Sequence, residues 1–175
     1  MISKGKWVGR KFSFDLKLED FPLILERLRG TPARIEERIA ELTQEKLRKK
    51  PDDSWSIQET VGHLGDLESL WTARLDDLRS GAKELTPADM TNTKTNSANH
   101  NAKTIEEVLR SFRSAREKFV YRLERLSKSE VLASGFHPRL KKPMRALDLA
   151  YFAAEHDDHH LARITELLRS YKLHQ

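Results

Sequence analysis

Residues 145–171 read RALDLAYFAAEHDDHHLARITELLRSY, with apolar side chains recurring every three or four positions. This spacing is typical of an α-helix that buries one face. His156 and His160 both fall within the apolar stripe, about 40° apart around the helix and about 6 Å apart along its axis. We therefore predict a long helix from Arg145 to Tyr171 that carries two histidines on its buried face.

Two further segments open with a capping box, in which a hydroxyl residue and a glutamate three positions later satisfy the first turn of a helix. The box at Ser56 precedes apolar residues at helical spacing and predicts a helix from Ile57 to Arg79. The box at Thr104 predicts another helix that ends near Ser127. Both segments are amphipathic, so each is expected to pack one face against neighbouring helices.

The N-terminal part of the chain is less regular. Residues 11–18 alternate apolar and polar side chains, which is typical of an extended segment. A lone strand has no partner, so we expect residues 1–20 to form an arm laid on the body or on a partner subunit. A short helical turn over 21–29 should stop at Gly30, because the Thr-Pro pair that follows supplies an N-cap and a first-turn proline for a helix over 32–47.

Four long amphipathic helices with almost no strand signal favour an all-α four-helix bundle, with room for one crossover connection. No linker divides the chain, so we expect one domain over residues 1–175, with the arm at 1–20 and the bundle at 21–175. Residues 86–103 are polar, rich in Asn and Thr, and without periodicity. That segment is long for a bundle connection, which indicates either disorder or a function.

Composition restricts the kinds of site and partner. The chain has no cysteine, which excludes disulfides, thiolate ligands and a cysteine nucleophile. It also has no apolar run of the roughly 20 residues that span a bilayer and no signal-peptide pattern, so we expect a cytoplasmic protein without a membrane partner. The net charge of +5 is a modest excess and does not by itself predict nucleic-acid binding.

The two histidines of the last helix are unusual for a buried seam. Two stacked imidazoles are costly to bury unless each ring nitrogen has a partner, and a shared metal ion would satisfy one nitrogen of each. Spacing alone supports metal binding and ordinary buried histidines about equally. His63, on the shoulder of the second long helix, is a candidate third ligand, because bundles build sites from facing helices. A solvent-exposed His63 is the simpler alternative.

A set of short motifs, in this order and separation, resembles the DinB-like superfamily of bacterial four-helix proteins. The motifs are Trp55-Ser56-Ile57, His63-Leu64 and His156-x-x-x-His160-Leu-x-x-Ile164. The resemblance covers about residues 21–171, nearly the whole chain.

The resemblance implies an up-down-down-up bundle, often a homodimer, with a divalent ion such as zinc or nickel held by three histidines. The matching positions are His63, His156 and His160. It also implies a small-molecule substrate and an ion that activates a water or a low-molecular-weight thiol, as in metal-dependent hydrolases and thiol-dependent S-transferases. It implies no specific contact with nucleic acid.

Several other residues are weak candidates for catalytic roles. Two carboxylates adjoin the predicted ligands and could orient them or transfer protons, although each is more simply explained as a surface residue. One arginine replaces a glutamine that many relatives have three residues after the last ligand. The polar loop adds amides and an imidazole that could contact substrate. The candidates are Glu59, Asp157, Arg163, Asn92, Asn99 and His100.

Three rival hypotheses have less support. A zincin helix would need glutamate where the chain has Asp157, and a helical phosphohydrolase built on a His-Asp pair would need further ligands that are not evident. A non-catalytic bundle could instead bind nucleic acid or protein through its basic loops. The basic residues concerned are Lys49, Lys50, Lys141 and Lys142.

Overall fold

A computed structural model describes residues 5–51 and 54–173. Within those residues the chain forms seven helices and one two-stranded hairpin. The long helices are α1 (Phe21–Ile39), α3 (Ile57–Ser80), α5 (Ile105–Glu124) and α7 (Ala146–Leu173). The short elements are α2 (Gln44–Arg48), α4 (Thr93–Ser97), α6 (Lys128–Leu132), β1 (Ser134–His137) and β2 (Lys142–Arg145). None of the described helices has the length and apolar character needed to cross a bilayer.

The four long helices form a bundle in which α1 and α3 each pack against both α5 and α7. The connection between α3 and α5, residues 81–104, is a crossover that runs the length of the bundle. At its start the Leu85 N–H donates to the Phe136 carbonyl at 2.9 Å, beside the hairpin. At its end the Gln58 side chain, in the first turn of α3, donates to the Lys103 carbonyl at 2.8 Å. Helices α3 and α5 therefore run in parallel, and the predicted up-down-down-up bundle is confirmed.

Both predicted capping boxes are present. At the start of α3 the Ser56 hydroxyl accepts from the Glu59 N–H at 3.1 Å, and the Glu59 carboxylate accepts from the Ser56 N–H at 2.9 Å. Thr104 and Glu107 form the same pair at the start of α5. Gly81 ends α3 in the left-handed conformation with φ of 74°, which glycine adopts without a steric penalty. Helices α3 and α5 thus begin where the capping pattern placed them.

Helix α1 is continuous, so the predicted stop at Gly30 and the predicted helix over 32–47 are wrong. Pro32 lies inside the helix and lacks the N–H that would bond to the carbonyl four residues earlier. Arg116 of α5 replaces that donor, since its Nη1 donates to the Leu28 carbonyl at 3.0 Å. A tertiary contact therefore removes part of the cost of a proline that would otherwise mark a helix start.

The hairpin formed by residues 134–145 has no strand signal in the sequence and was not predicted. Strand β1 pairs antiparallel with β2, and Phe136 lies opposite Pro143. Proline is tolerated here because Pro143 belongs to β2, which is an edge strand. Gly135 lets the hairpin approach the crossover closely, since a Cβ at this position would lie 2.8 Å from the Leu85 side chain.

The N-terminal arm is extended and lies on the body of its own chain. Phe12 is buried, and Phe14 and Leu16 pack against the same apolar core. Arg145 holds the arm by donating to the carbonyls of Phe14 at 3.1 Å and Leu16 at 3.2 Å. Trp7 packs with its ring 5.1 Å from that of Phe12. The arm thereby becomes part of the wall of the bundle.

A buried ionic cluster links α3, α5 and α7 at mid-height. Arg116 donates to Glu68 at 2.6 Å and to Asp157 at 3.0 Å, and all three side chains are at most 3% exposed. Burial alone would lower the pKa of Arg116, but the carboxylates of Asp157 and Glu68 raise it above its ordinary value. Burial also raises the pKa of Glu68. The guanidinium therefore stays charged in the core.

Candidate metal centre

Helices α3 and α7 bring His63, His156 and His160 together, and we refer to these three residues as the histidine cluster. The Nε2 atoms of His156 and His160 are 3.1 Å apart. The His63 ring centre lies 5.3 Å from that of His156 and 4.8 Å from that of His160. One nitrogen from each ring lies within 4.8 Å of the other two. Ligand nitrogens on tetrahedral zinc are roughly 3.3 Å apart, so small side-chain movements would close this set on one ion.

His156 provides an independent test of whether the cluster suits a metal ion. Its Nδ1 is buried without a hydrogen-bond partner in the described part of the chain, and its Nε2 faces the Nε2 of His160. A buried imidazole with so little polar compensation is costly. A metal ion on one of its nitrogens would supply that compensation, so the residues present fit a divalent ion with nitrogen ligands.

His63 is oriented by two residues that the sequence did not reveal. Its Nδ1 lies 3.1 Å from the Thr95 hydroxyl, which in turn donates to the Asp66 carboxylate at 2.9 Å. That donation leaves the hydroxyl oxygen as an acceptor, so the His63 Nδ1 carries the proton and its Nε2 is left to bind an ion. Partners of this kind typically fix the orientation of a metal-binding histidine. Thr95 belongs to α4 of the crossover, so the connection predicted to be disordered or functional contributes to the site.

Burial keeps His63 and His156 of the histidine cluster neutral. Desolvation lowers the pKa of His63 to about 4, although the nearby Asp66 carboxylate acts in the opposite direction. Desolvation also lowers the pKa of His156 well below its ordinary value, and the neighbouring histidines add to the effect. Metals bind the neutral imidazole. These two rings are therefore in the binding-competent form at neutral pH.

Aromatic residues from three parts of the chain enclose the cluster. The Trp55 ring lies 4.5 Å from the His63 ring, and the Trp7 ring from the N-terminal arm lies 5.0 Å from the His156 ring. Trp71 of α3 packs on the other side, 5.8 Å from His156. Together they shape a cavity of about 200 Å³ that includes the histidine cluster in its wall. The cavity is the size expected for a small molecule rather than a polymer.

Of the weak catalytic candidates, Asn92 is the one that lines this cavity. Asp157 does not, and the prediction of a surface carboxylate there is also wrong, because Asp157 is fully buried against Arg116. Asp157 follows His156 directly, so its side chain lies about 100° further around the helix and faces α5 instead of the cavity.

The remaining candidates lie outside the cavity wall. Glu59 caps α3 and pairs with Lys50 at 2.7 Å. Arg163 contacts Ser54 at 3.2 Å. The His100 Nε2 lies 2.8 Å from Asp66, so it supports the carboxylate that Thr95 also contacts. The last candidate, Asn99, has a left-handed conformation at the start of a 3₁₀ turn.

The cavity also contains residues that sequence reasoning missed. Arg74 shares a helical face with His63 and Trp71, so its spacing could have revealed it. His137 and Arg139 come from the hairpin region, for which the sequence offered no positional signal. These three basic residues lie in the same cavity as the histidine cluster.

Comparisons with known proteins agree with this architecture. One solved structure is described as "YfiT from Bacillus subtilis is a probable metal-dependent hydrolase with an unusual four-helix bundle topology". It superposes with a TM-score of 0.81 at 19% identity, covering 93% of this chain and 94% of that chain, which shows a shared fold. No curated protein matches the sequence. A family model described as the DinB superfamily matches residues 27–164, which is most of the chain, and the protein therefore belongs to the DinB superfamily.

Proposed function

We propose that the protein is a metal-dependent enzyme acting on a small molecule, with one divalent ion such as zinc or nickel held by His63, His156 and His160. The observation that carries this proposal is the convergence of three ring nitrogens from two helices within 4.8 Å of one another. Two of these histidines are buried and the third is half-buried, and all three lie on the wall of the cavity. Structural metal sites are usually closed by four protein ligands, whereas three ligands beside a cavity are typical of catalysis.

A divalent ion with three imidazole ligands keeps a position for a guest and lowers the pKa of a bound water or thiol toward neutrality. Hydrolysis is the reaction we favour, because YfiT, which shares the fold, is described as a probable metal-dependent hydrolase. Transfer to a low-molecular-weight thiol is the alternative that the same site chemistry allows.

The chain contributes orientation and exclusion of water. Thr95 holds the His63 ring through its Nδ1, which leaves the other nitrogen for the ion. Trp7 and Trp55 cover the histidine cluster on two sides and restrict the approach of solvent. The Asn92 amide on the cavity wall offers both a donor and an acceptor to a bound substrate.

Metal analysis of untagged protein tests the ligand assignment. We expect about one zinc or nickel ion per chain after reconstitution, and loss of that ion in His160→Ala with unchanged helicity. His159→Ala is the matched control, because His159 lines the cavity without belonging to the histidine cluster. Equal metal content in the two variants, or no stoichiometric metal in the wild type, would contradict the proposal.

Activity is tested separately with panels of hydrolase substrates and of thiol acceptors. We expect turnover on one panel that disappears on chelation and returns when zinc or nickel is added. Turnover that survives complete removal of metal would argue against an ion at the reaction centre. A homodimer and a cytoplasmic location remain predictions, which light scattering and fractionation can test.

A further inference from the structure

A second group of residues in the same cavity carries positive charge and unsatisfied donors. It consists of Arg74, Arg139 and His137, which we call the basic cluster. Two aromatic rings connect it to the histidine cluster. Trp71 lies 5.8 Å from His156 and 5.7 Å from the Arg74 guanidinium carbon. The other ring, that of Phe152, lies 5.7 Å from the Arg139 guanidinium carbon and 6.0 Å from the Trp71 ring, through which it is linked to the histidine cluster.

Arg74 is an uncommon buried cation, since it is 1% exposed and forms no ion pair with any described residue. Its Nε donates to the Thr86 carbonyl at 2.9 Å, which is a neutral partner. The nearest acidic influence is Asp77, whose Oδ2 accepts from the Thr86 N–H and hydroxyl at 2.6 and 2.7 Å. Burial lowers the pKa of Arg74 to about 10, and the neighbouring Arg139 contributes to this. The guanidinium is still charged at neutral pH.

Arg139 lies beside Arg74 and adds a second charge of the same sign. Its Nη1 donates to the Val8 carbonyl of the N-terminal arm at 3.3 Å, and within residues 5–51 and 54–173 it has no carboxylate partner. Two guanidinium groups that share a partly desolvated cavity repel each other. A buried or half-buried cation normally has an anionic partner, and these two arginines have none among the described residues.

His137 supplies a donor to the same region. The Leu140 N–H donates to the His137 Nδ1 at 3.2 Å, so that nitrogen carries no proton and the neutral ring bears its proton on Nε2. The ring is 1% exposed, and its Nε2 has no hydrogen-bond partner among the described residues. His137 therefore has a buried, unsatisfied N–H at the wall of a cavity that also contains two cations.

We propose that the basic cluster binds an anionic group of the substrate, a carboxylate or a phosphate, while the reacting bond lies toward the histidine cluster. An anion would accept hydrogen bonds from the free N–H groups of both guanidiniums and from the His137 Nε2, and it would neutralise the repulsion between the two arginines. The inference rests on the proposed function, because it names the substrate class of the same cavity.

The acidic residue in the cavity wall does not compete for this role. Asp89 is the one carboxylate that lines the described cavity, and its oxygens accept from the N–H groups of Thr91 at 2.9 Å and Thr93 at 2.7 Å. A hydrogen bond from the Thr91 hydroxyl, together with these two, lowers the pKa of Asp89 to about 2. The Asp89 carboxylate therefore stabilises the crossover by local hydrogen bonds, and it forms no ion pair with Arg74 or Arg139.

The cavity volume of about 200 Å³ indicates that the anion belongs to a small molecule. Phenyl phosphate and phenylacetate are suitable probes, with the neutral phenylacetamide as the matched comparison. Binding is measured by calorimetry and by NMR titration, on both zinc-loaded and metal-free protein. We expect at least one anionic probe to bind tenfold or more tightly than the neutral probe, in both forms of the protein. The stronger of the two shows whether carboxylate or phosphate is preferred.

Arg139→Gln tests the assignment to residues, and Arg125→Gln is the control with the same change in net charge at an exposed position. We expect Arg139→Gln to weaken the anionic probe roughly tenfold or more, as for loss of a charge-assisted hydrogen bond, and to leave the neutral probe unchanged. Arg74→Lys keeps the charge but loses the planar fork, and we expect an intermediate loss. This second variant gives an answer even if one substitution prevents folding.

Three outcomes would overturn the inference. The first is equal affinity for anionic and neutral probes. The second is equal binding by Arg139→Gln and Arg125→Gln. The third is anion binding that disappears when zinc is removed and is unaffected by Arg139→Gln, because the ion itself would then hold the anion. Metal content is measured on every sample, so failure of the metal site with intact anion binding contradicts the proposed function and leaves this inference standing.

Discussion

The Nη1 atom of Arg116 donates a hydrogen bond of 3.0 Å to the main-chain oxygen of Leu28. In a regular helix that oxygen would accept from the N–H of residue 32, which proline lacks. The Arg116 side chain therefore supplies the missing donor to α1 and also pairs with two buried carboxylates. The arginine is 1% exposed, and its removal would leave the charges of Glu68 and Asp157 uncompensated in the core. Its contribution is therefore structural.

We expect Arg116→Met to lower the free energy of unfolding by about 3–5 kcal/mol, the range for breaking a buried ion pair from one side. Urea denaturation measures the change. Arg113→Met is the control, because Arg113 pairs with Glu36 in a bridge that is more than a third exposed on both sides and should change stability little. Similar losses in the two variants would contradict the assigned role of the buried cluster.

Two glycines in one helix should respond in opposite ways to the same substitution. A Cβ on Gly62 would lie 2.4 Å from the His100 ring, whereas a Cβ on Gly65 would be 3.4 Å from the nearest atom of Phe112. We expect Gly62→Ala to destabilise the protein by about 1–3 kcal/mol, as overpacking does. Gly65→Ala should be neutral or gain up to about 1 kcal/mol, because alanine favours a helix over glycine. Thermal or urea unfolding of both variants decides the matter.

The hydroxyl of Thr95 should affect metal affinity without binding the metal. Thr95→Val removes the partner of His63 Nδ1 and keeps the shape of the side chain. We expect zinc to bind roughly 10–100-fold more weakly, the usual effect of losing such a contact. Competition with a chromophoric chelator measures this. Thr93→Val, at an exposed position of the same short helix, should keep wild-type affinity, and a loss as large in that variant would point to disruption of α4 instead.

Acid should destabilise the metal-free protein partly through His137. Burial, together with the charges of Arg74 and Arg139, lowers the pKa of this histidine to about 4, whereas an unfolded histidine titrates near 6.5. Between these values the unfolded chain binds a proton that the folded chain does not, so stability falls as pH falls. The full effect of one such group is at most about 3 kcal/mol.

Urea unfolding between about pH 7 and pH 4.5, in buffer without multivalent anions, tests this expectation. The decline in stability should be shallower for His137→Asn than for the wild type, whatever the offset between the two at neutral pH. Parallel curves would mean that His137 is not held neutral by the fold.

The main features that could be predicted are those encoded by local periodicity. The capping boxes at Ser56 and Thr104 located two helix starts, and the i, i+4 spacing of His156 and His160 placed both on one face. The family resemblance added His63, whose position on the inner shoulder of α3 the spacing alone did not settle. The capping boxes and the histidine pair are each encoded within a few residues, whereas the family resemblance depends on the order of motifs along most of the chain.

The features that were missed depend on contacts between distant segments. A Thr-Pro pair marks a helix start unless another part of the chain supplies the missing donor, and Arg116 lies 84 positions after Pro32. Thr95 has no periodic signal that connects it to His63, whereas Asp66, three residues after His63 on α3, has the spacing of a same-face neighbour. Asp157 illustrates the opposite error, because proximity to His156 in sequence does not mean proximity to the cavity on a helix. The hairpin was missed because Pro143 and the basic residues around it do not have the pattern typical of a strand.

The crossover has a consequence for how the protein is made. His63 is synthesised before Thr95 and before the last long helix. The candidate metal site stays incomplete until then, because the other two candidate ligands are on α7. A nascent chain still lacking α7 therefore contains only one of the three candidate ligands, and one imidazole alone would hold a divalent ion weakly. Loading with metal would be restricted to molecules whose translation has passed α7 and whose bundle has closed, so that incomplete chains sequester none.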